Sequence, residues 1–439
     1  MTLSYTEYQE IAANIRPNGQ AFIDGKFCDA ADGQKFDTTN PATGQVLASV
    51  AHCKAVDVDR AVIAARRVFN AGTWSRAEPE ARKEVLLKVA TLVRKHTHEL
   101  AVLESLDTGK TINDCMDEIG GEVVNFFQWY AELADKSFGK IAPTGLSALA
   151  LIVKEPAGVA GAVLPWNFPL VMAAWKIAPS LSVGCSAIIK PAEQTPLSTI
   201  RLAELMQEAG VPDGVINIIP GYGETAGQAI GMHNDIDTVS FTGSSEVGRM
   251  FMRYSGDSNL KGVGLEMGGK SPFIVLEDAL LDDELIEHAA MSAFWNGGQN
   301  CSANMRQLIA TPLVDEFTGL ILERVKAFKL GDPLDPATDI GSMITKDHKE
   351  MVMSYIQSGV DEGANMLTGG ESDIPGYFIK PTVFENITPE MKISREEIFG
   401  PVLGIMPVKN AEEALRIASN TDYGLHATVF TQNIDQALY

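Results

Sequence analysis

Positive charge and long apolar runs are scarce in this sequence, and both shortages exclude classes of function. Its 439 residues include 35 lysines and arginines against 57 aspartates and glutamates, a formal net charge of -22. Nucleic-acid phosphates and anionic lipids bind clustered positive charge, so we expect neither a nucleic-acid partner nor a membrane surface. Nowhere do about 18 apolar residues follow one another, as a membrane-spanning helix requires. The first 20 residues show no secretory signal, so the sequence predicts a cytoplasmic protein.

Metal-binding and redox patterns are also missing. The five cysteines, Cys28, Cys53, Cys115, Cys185 and Cys301, are widely spaced and form no Cys-x-x-Cys pair. None of the seven histidines belongs to a His-Glu-x-x-His motif. Structural zinc sites, redox dithiols and zinc peptidases depend on such spacings. The sequence therefore predicts no metal site.

The composition is that of a packed globular protein, with 45% hydrophobic and 21% charged residues. At about 150 residues per domain, the length suggests two or three domains. Helices are predicted from Asp57, as N-cap, to Gly72, and then over 79–106 and 113–135. An apolar run at 148–153 predicts an extended arm or an edge strand.

Short apolar runs alternate with helix-length segments between residues 158 and 276. The runs at 159–164, 187–190, 215–219, 238–241 and 273–276 are typical of strands buried in a parallel sheet. Repeated β-α units build a doubly wound sheet, whose ligands bind beyond the carboxyl ends of the strands. The predicted fold class is therefore α/β, with a Rossmann-type doubly wound domain and a second α/β region from about residue 281.

Two predicted strand ends carry residues that suit a dinucleotide. Gly243, Ser244 and Gly248 open a helix whose backbone N–H groups and dipole could hold a pyrophosphate. Lys190 and Glu193 lie where a nucleotide ribose would bind. Glu193 would accept hydrogen bonds from ribose hydroxyls and repel a 2′-phosphate, which favours NAD over NADP. A tight strand-to-helix turn that binds nothing is the alternative explanation of the glycine pattern.

Cys301 lies in a glycine-rich loop, residues 296–302, between a predicted helix and a predicted strand. A lone cysteine is more often a small buried hydrophobe than a nucleophile. Here the loop could expose the thiol, and other strand ends offer a side-chain amide, Asn167, and a carboxylate, Glu266. A nucleophile, an oxyanion donor and a base are the groups that acyl transfer requires. Taken singly, Asn167 is equally compatible with a turn cap, and Glu266 with a buried ion pair.

Seven segments, in this order along the chain, resemble the aldehyde dehydrogenase superfamily. They are 165–169, 189–196, 241–248, 265–272, 298–306, 396–401 (Glu-Glu-Ile-Phe-Gly-Pro) and 420–425 (Asn-Thr-Asp-Tyr-Gly-Leu). The resemblance implies that Cys301 is the nucleophile and that the Asn167 amide and the Cys301 N–H hold the oxyanion. It also implies that Glu266 activates the water that hydrolyses a Cys301 thioester.

The same resemblance implies where the cofactor and the substrate would bind. Residues that match the NAD-binding positions of the family are Trp166, Lys190, Glu193, Gly243, Ser244, Gly248, Glu397 and Phe399. Residues that match its substrate tunnel are Phe168, Trp175, Asn300, Ser302, Asp117 and Glu118. Read alone, Phe168 and Trp175 are more often core residues than pocket residues.

The resemblance also implies a domain organisation. Residues 1–135 and 158–265 would form the cofactor-binding domain, 136–157 an oligomerisation arm, and 266–439 the catalytic domain. An unpaired arm strand offered to a neighbour implies a homo-oligomer, either a dimer or a tetramer. Because the family pattern continues beyond Tyr439, we expect the catalytic domain to be C-terminally incomplete.

Several substrates and rival functions stay open. Segments 233–237 and 256–261 resemble ω-aminoaldehyde dehydrogenases such as γ-glutamyl-γ-aminobutyraldehyde dehydrogenase. Carboxylates at Asp117 and Glu118 would attract a substrate amine, although acids in a first helical turn also simply complement the helix dipole. Broad oxidation of aliphatic aldehydes is the alternative within the family. Outside it, the alternatives are a cysteine-dependent esterase or acyltransferase, which would need a histidine base, and an inactive structural homologue.

Overall fold

The computed structural model describes residues 3–439 and contains two large sheets. The strands are β1 (Ala21–Ile23), β2 (Lys26–Cys28), β3 (Lys35–Thr39), β4 (Val46–Ala51), β5 (Lys140–Ala142), β6 (Ala150–Ile152), β7 (Val159–Val163), β8 (Ser186–Lys190), β9 (Ile216–Ile218), β10 (Thr238–Gly243), β11 (Gly262–Met267), β12 (Pro272–Val275), β13 (Arg306–Ala310), β14 (Asn365–Glu371), β15 (Ile379–Glu385), β16 (Val402–Val408) and β17 (Thr428–Phe430).

Helices connect and cover these strands. They are α1 (Tyr5–Asn14), α2 (Ala55–Ala71), α3 (Pro79–Lys95), α4 (Thr97–Thr108), α5 (Ile112–Asp117), α6 (Val124–Leu133), α7 (Pro169–Ser182), α8 (Leu197–Ala209), α9 (Gln228–Met232), α10 (Ser245–Gly256), α11 (Asp283–Phe294), α12 (Val314–Ala327), α13 (Lys346–Asp361), α14 (Lys392–Arg395), α15 (Ala411–Ala418) and α16 (Ile434–Leu438). Within residues 3–439, none of these helices is both long enough and apolar enough to cross a membrane.

The first sheet has the strand order β11-β10-β7-β8-β9-β1-β2. Strands β7 to β11 are parallel, whereas β1 pairs antiparallel with β9. The chain builds β7, β8 and β9 outward in one direction and then returns to place β10 on the other side of β7. The topological switch point therefore lies between β7 and β10, and doubly wound sheets bind their ligands at such a point. The predicted α/β class is confirmed.

Both faces of the first sheet are buried, as its continuous apolar strands predict. β7 and β8 are buried along their whole length. Helices α7 and α8 pack on one face, with α3 and α4 lying over them, and α2, α9 and α10 pack on the other face. This double cover leaves the ends of the strands as the accessible edge of the sheet.

The second sheet has the order β14-β15-β16-β13-β12-β17. All of its strands except β14 run parallel. Helices α11 and α12 cover one face, and α13 and α15 cover the other. It is therefore a second α/β layer, and the loop carrying Cys301 connects α11 to β13.

Strands β5 and β6 form a separate antiparallel hairpin. Its apolar side chains are largely in solvent, with Ile141 74% and Leu149 73% exposed. The sequence predicted an extended arm or an edge strand over 148–153, and the structure forms a strand at Ala150–Ile152.

Three helix predictions need correction. Asp57 is not the N-cap of α2, because Lys54 holds that position and the Asp57 carboxylate accepts the Lys54 N–H at 3.1 Å. The helix predicted over 79–106 is two helices, α3 and α4, that meet at His96. The helix predicted over 113–135 is interrupted by a π-helical turn at Glu118–Val123, which contains two adjacent glycines. Glycine lowers the cost of such a local change in helical geometry.

Candidate active site

The carboxyl ends of the first sheet's parallel strands bring several predicted site residues to one edge. Trp166 and Asn167 follow β7, Lys190 ends β8, Ser244 follows β10, and Glu266 lies at the end of β11. The registers Val163↔Lys190 and Thr242↔Glu266 show that these strands end at nearly the same level. Because β7 and β10 border the switch point, Asn167 and Ser244 lie on its two sides.

The Cys301 loop begins with an uncommon backbone conformation. Asn296, Gly297 and Gly298 have φ of 52°, 61° and 69°, so three consecutive residues are left-handed. A side chain on Gly298 would collide with the carbonyl oxygen of Gly400. The glycines therefore allow the loop to pack closely against the segment that carries Glu397 and Phe399.

A network of amides joins Asn167 to the Cys301 loop. The Asn167 Nδ2 donates to the Gln299 carbonyl oxygen at 3.0 Å, and the Asn296 Nδ2 donates to the Asn167 carbonyl oxygen at 3.2 Å. Gln299 is itself held by its Oε1, which accepts the Ile344 N–H at 3.0 Å. Asn167 is 5% exposed. The Asn167 amide is thus fixed beside Gln299, two residues before Cys301 in the chain.

Cys301 is half-buried in an environment that disfavours its thiolate. Burial and the nearby negative charge of Glu397 raise the pKa of the Cys301 thiol, and Glu266 adds to that effect, whereas the Cys301 and Ser302 N–H groups oppose it. The Sγ lies 3.9 Å from the Asn300 Oδ1, which also accepts the Ser302 N–H at 3.1 Å. Cys53, Cys115 and Cys185, by contrast, are fully buried.

Glu397 lies next to the glycines that follow β11. The Gly269 N–H donates to the Glu397 Oε1 at 3.2 Å, and a side chain on Gly268 would collide with the same carboxylate. A Cβ on Gly269 would lie 2.6 Å from the Cys301 carbonyl oxygen. Burial raises the pKa of Glu397 to about 7, against the lowering effects of the Gly269 N–H and Lys270.

Three aromatic rings from both sheets meet beside Glu397. Trp166 packs edge-to-face against His348 and against Phe399, with ring centroids 5.2 Å apart in each case. Phe399 is left-handed, with φ of 57°. The His348 Nε2–H donates to the Phe399 carbonyl oxygen at 2.7 Å. This bond and the ring contacts stabilise a conformation that an aromatic residue rarely adopts.

Lys190 and Glu193 form an ion pair at the end of β8. The Lys190 Nζ lies 3.0 Å from the Glu193 Oε2 and donates to the Pro191 carbonyl oxygen at 2.9 Å. Lys190 is 2% exposed, and Glu193 is partly exposed. Burial lowers the pKa of Lys190, whereas Glu193 and Glu224 raise it. Two carboxylates therefore influence this lysine.

Ser244 is the N-cap of α10, and its Oγ accepts the Val247 N–H at 3.3 Å. The adjoining glycines are required by close packing. A Cβ on Gly243 would lie 2.6 Å from the Phe241 ring, and one on Gly248 would lie 2.6 Å from the Met267 Sδ. The first turn of α10 thus presents backbone N–H groups at the switch point, as an anion site requires.

The residues predicted to line the substrate tunnel differ in how far they are exposed to solvent. Phe168 is buried and packs on Trp295, with ring centroids 5.1 Å apart. Trp175 is 48% exposed and stacks on Phe126 at 5.3 Å. Asp117 is exposed.

The expectation for Glu118 needs correction. Its side chain is only 2% exposed and forms a close ion pair with Lys110. Burial raises the pKa of Glu118 to about 8. Because its carboxylate is buried against Lys110, Glu118 is no free partner for a substrate amine.

Comparison with known proteins agrees with this geometry. The model of the aldehyde dehydrogenase family matches residues 27–439. The chain belongs to the aldehyde dehydrogenase family. It is 45% identical to aminoacetaldehyde dehydrogenase of Pseudomonas aeruginosa, over 99% of this chain and 88% of that protein. Its fold superposes on γ-glutamyl-γ-aminobutyraldehyde dehydrogenase from Burkholderia cenocepacia with a TM-score of 0.96, at 43% identity and covering 99% and 88% of the two chains.

A second solved structure is similar to the same extent. The P. syringae indole-3-acetaldehyde dehydrogenase AldA, in complex with NAD+ and IAA, superposes with a TM-score of 0.97 at 42% identity, covering 99% of this chain and 88% of that one. Its family membership makes the present protein an aldehyde dehydrogenase. Among the described residues, no group of three or more His, Cys, Asp or Glu side chains is arranged to hold a metal ion.

Four residues that the sequence did not single out also border the site. Lys176 is buried in α7 and donates to the Ser240 Oγ at 2.8 Å; burial lowers the pKa of Lys176 to about 8, whereas Glu266 raises it. His348 and Trp295 contribute the ring contacts described above. Burial raises the pKa of Asp114 to about 6, against the effects of Lys110 and of a hydrogen bond from Trp295. Only Asp114 had a local signal, as another acid close to Asp117.

Proposed function

We propose that this protein oxidises an aldehyde to a carboxylate with NAD, through a covalent thioester on Cys301. The observation that carries the proposal is that the buried Asn167 amide is hydrogen-bonded to the Cys301 loop, while two carboxylates, Glu266 and Glu397, lie close enough to raise the pKa of the Cys301 thiol. Asn167 and Glu266 belong to the strand ends of the first sheet, whereas Cys301 and Glu397 belong to segments that lead into strands of the second. In this proposal residues 1–135 and 158–265 bind the cofactor and 266–439 carry the nucleophile.

The Cys301 thiol gives up its proton to solvent, and the resulting thiolate attacks the aldehyde carbon to form a tetrahedral adduct. One Asn167 N–H is engaged by the Gln299 carbonyl oxygen, which leaves the second N–H of that amide available for the developing oxyanion. The Cys301 backbone N–H is the other donor. Each preorganised donor of this kind typically lowers the activation barrier by about 3 kcal/mol. Negative charge on the former aldehyde oxygen makes the carbon a good hydride donor.

The cleft has the features that NAD requires. The first turn of α10 offers N–H groups for a pyrophosphate, and Lys190 and Glu193 would hold an adenosine ribose. Glu397 lies close enough to Cys301 to raise its pKa, and Phe399 follows it by two residues, so these two residues would hold the nicotinamide riboside. When bound, NAD supplies the acceptor for the hydride. A family relative from P. syringae has been solved with NAD+. Loss of hydride leaves the acyl group on the Cys301 Sγ as a thioester.

Water then releases the acid. The Glu266 carboxylate is exposed at the end of β11 and takes the proton from the attacking water. Lys176 lies close to this carboxylate, because Glu266 raises the pKa of the Lys176 ammonium group against the lowering effect of burial. The thiolate leaves, the carboxylate product departs, and Glu266 returns its proton to solvent.

A cysteine hydrolase would use the same nucleophile but would need a histidine base. Among residues 3–439, no histidine hydrogen-bonds to Cys301, and the Nε2 of the nearby His348 is engaged by the Phe399 carbonyl oxygen. The two functions differ in their products. An aldehyde dehydrogenase forms NADH, which absorbs in the near ultraviolet, whereas a hydrolase releases acid without it.

Replacing the nucleophile tests the proposed chemistry. Cys301→Ala should abolish NADH formation from aldehydes and hydrolysis of activated esters, while NAD binding measured by calorimetry is retained. Cys185→Ala is the matched control, since Cys185 is buried at the start of β8 and far from the chemistry in sequence. Aldehyde oxidation that persists in Cys301→Ala would show that the nucleophile is a different residue.

We further propose that the aldehyde carries an amine at its other end. Relatives include aminoacetaldehyde dehydrogenase and γ-glutamyl-γ-aminobutyraldehyde dehydrogenase. Asp117 is exposed, and Asp114 lies within hydrogen-bonding reach of the Trp295 indole, which packs on Phe168. A carboxylate among aromatic rings is a suitable environment for an ammonium group. Asp114 and Asp117, without Glu118, are thus the proposed amine-recognising acids.

A kcat/KM panel tests the substrate. Aminoaldehydes should exceed uncharged aldehydes of matched length by about tenfold or more, the effect of roughly 1.4 kcal/mol. Asp117→Asn and Asp114→Asn should reduce that preference, whereas Glu118→Gln should leave it unchanged because its carboxylate is already paired with Lys110. Equal rates for both classes, unaffected by the two aspartate substitutions, would favour broad oxidation of aliphatic aldehydes instead.

The β5–β6 hairpin supports a further proposal, that the protein is a homo-oligomer. Both strands are edge strands, and their exposed apolar side chains include Ile141, Leu149 and Leu151. Such an edge is suited to pairing with another copy of the chain. Light scattering should detect a dimer or tetramer, and Leu149→Asp with Leu151→Asp should weaken it. A monomer in the unsubstituted protein at high concentration would refute the proposal.

A further inference from the structure

Three charged side chains are buried together beneath the segment that carries Asn167. Lys110, Glu104 and Glu118 have side chains that are 0%, 0% and 2% exposed. Lys110 forms a close ion pair with Glu118, and its Nζ lies 3.8 Å from the Glu104 Oε1. Burying several charges is costly unless they neutralise one another. None of the three takes part in the proposed chemistry, so the free-energy cost of burying them needs a separate explanation.

Two members of this cluster, Lys110 and Glu104, each contact a residue that closely follows Asn167 in the chain. The Lys110 Nζ lies 4.1 Å from the centroid of the Phe168 ring, and Phe168 is the residue directly after Asn167. The Glu104 Oε2 accepts the Leu170 N–H at 3.2 Å and the Ser198 hydroxyl at 3.0 Å. The charged cluster thus contacts Asn167's chain segment at two points within three residues.

The start of α7 depends on this contact. The helix begins at Pro169, and its own N-cap residue, Phe168, has no side-chain acceptor for the first N–H groups. Glu104, which projects from α4, supplies that acceptor from outside the helix. A carboxylate at a helix N-terminus is stabilised by the N–H group and by the helix dipole. The first turn of α7, and Asn167 before it, are therefore anchored to α4.

Lys110 is the charged group that most favours the carboxylate form of this anchor, Glu104. Burial raises the pKa of Glu104, and Lys110 is the main group that opposes the shift. One oxygen of Glu104 and one of Glu118 have no hydrogen-bond partner, so the ammonium group is the chief compensation for both carboxyls. Without it, the carboxylate form of Glu104 would lose its main stabilising charge, and a carboxylate is a stronger acceptor for the Leu170 N–H than a neutral carboxyl group.

We infer that Lys110 and Glu104 are positioning residues for the oxyanion donor. Glu104 fixes the first turn of α7 and Lys110 fixes the Phe168 ring, so that the Asn167 amide faces the Cys301 loop. The inference rests on the proposed role of Asn167 in holding the oxyanion. Displacement of a catalytic group by about 1 Å can cost about 100-fold in rate, so a loss of these anchors is expected to be visible in the chemical step.

A double-mutant cycle tests the inference. Lys110→Met and Glu104→Gln are each made alone and together with Asn167→Ala, and the rate of the first NADH turnover is measured at saturating aldehyde and NAD. Lys110→Met should slow this step by about 10- to 100-fold with little change in KM. In the Asn167→Ala background it should cause no further loss, because residues that act through one group are non-additive. Glu104→Gln should show the same pattern with a smaller effect, since its amide oxygen can still accept the Leu170 N–H.

Lys261→Met is the matched control. Lys261 is also a buried lysine, but its ammonium donates to the Gly231 carbonyl oxygen at 2.6 Å and to the Ser258 hydroxyl at 2.8 Å, away from Asn167. It should lower thermal stability without slowing the first turnover. Alkylation of Cys301 by iodoacetamide should remain normal in Lys110→Met, because the thiol itself is unaffected.

Equal slowing by Lys110→Met in the presence and absence of the Asn167 amide would overturn the inference. If Lys110→Met fails to fold, Glu104→Gln provides the same comparison, since it preserves the shape of the side chain. A normal first turnover in Asn167→Ala would overturn the oxyanion role of Asn167 and this inference together. A slow Asn167→Ala with normal Lys110→Met and Glu104→Gln would overturn only the positioning role.

Discussion

Glu193 offers the sharpest test of how the cleft selects its cofactor. Its carboxylate lies 3.0 Å from the Lys190 Nζ at the end of β8 and is partly exposed. NADP differs from NAD by a phosphate on the 2′-hydroxyl of the adenosine ribose, where Glu193 is proposed to bind. Glu193→Gln keeps a hydrogen-bonding side chain and removes one negative charge. The variant should therefore gain activity with NADP while retaining much of its activity with NAD.

The size of the effect follows from the charges. A phosphate of about two negative charges, about 5 Å from the carboxylate in a partly hydrated site of effective dielectric about 40, is repelled by about 3 kcal/mol. That energy corresponds to about a 100-fold change in the ratio of kcat/KM for the two cofactors. Lys190 keeps its bond to the Pro191 carbonyl oxygen at 2.9 Å and becomes free to pair with the phosphate. Glu224, which also influences Lys190, retains part of the repulsion.

The assay is initial-rate NADH or NADPH formation across cofactor concentrations at saturating aldehyde. Glu208→Gln is the control, because it removes the same charge from an exposed position of α8. It should leave the cofactor ratio unchanged. The electrostatic argument would be refuted if Glu193→Gln and the unsubstituted enzyme had the same ratio of kcat/KM for NADP and NAD. It would also be refuted if the unsubstituted enzyme already preferred NADP.

Further predictions concern the thiol, the base and the aromatic cluster. Because burial and the negative charge of Glu397 raise the pKa of Cys301, its alkylation should accelerate as pH rises, and Glu397→Gln should move that profile to lower pH; an upward shift would contradict this assignment. Glu266→Gln should give a burst of NADH followed by slow turnover, whereas slow turnover without a burst would place Glu266 before the thioester. His348→Leu removes the hydrogen bond to the left-handed Phe399 and should raise the Kd for NAD about tenfold, a loss of about 1.4 kcal/mol; an unchanged Kd by titration calorimetry would exclude that support.

Local sequence was sufficient for most of the fold. Apolar runs of strand length, alternating with helix-length segments, predicted β7 to β10 within about two residues of their observed ends, because buried parallel strands must be apolar on both faces. A glycine marked a helix end correctly at Gly72, which is left-handed. Helix interruptions were missed at His96 and at the π-helical turn, where tertiary packing overrides an unbroken local pattern.

Part of the candidate site could also be predicted from the strand pattern. Asn167, Lys190, Ser244 and Glu266 follow or end parallel strands, and the carboxyl ends of such strands meet at one edge of the sheet. The strand order, however, is decided only in three dimensions, and it is the order that puts β7 beside β10 and creates the switch point. The approach of Cys301 from the second sheet likewise depends on how the two sheets pack.

The pairing of charged side chains could not be predicted from the sequence. Glu118 looked like a free acid at a helix start, yet it is buried against Lys110, and Lys176 gave no local signal of its nearness to Glu266. Glu104 holds the Leu170 N–H across 66 residues of chain. Whether a carboxylate is solvated, paired or poised for chemistry depends on the charges and the solvent around it. Those neighbours come from distant parts of the chain, so only the tertiary structure decides which acids are available for function.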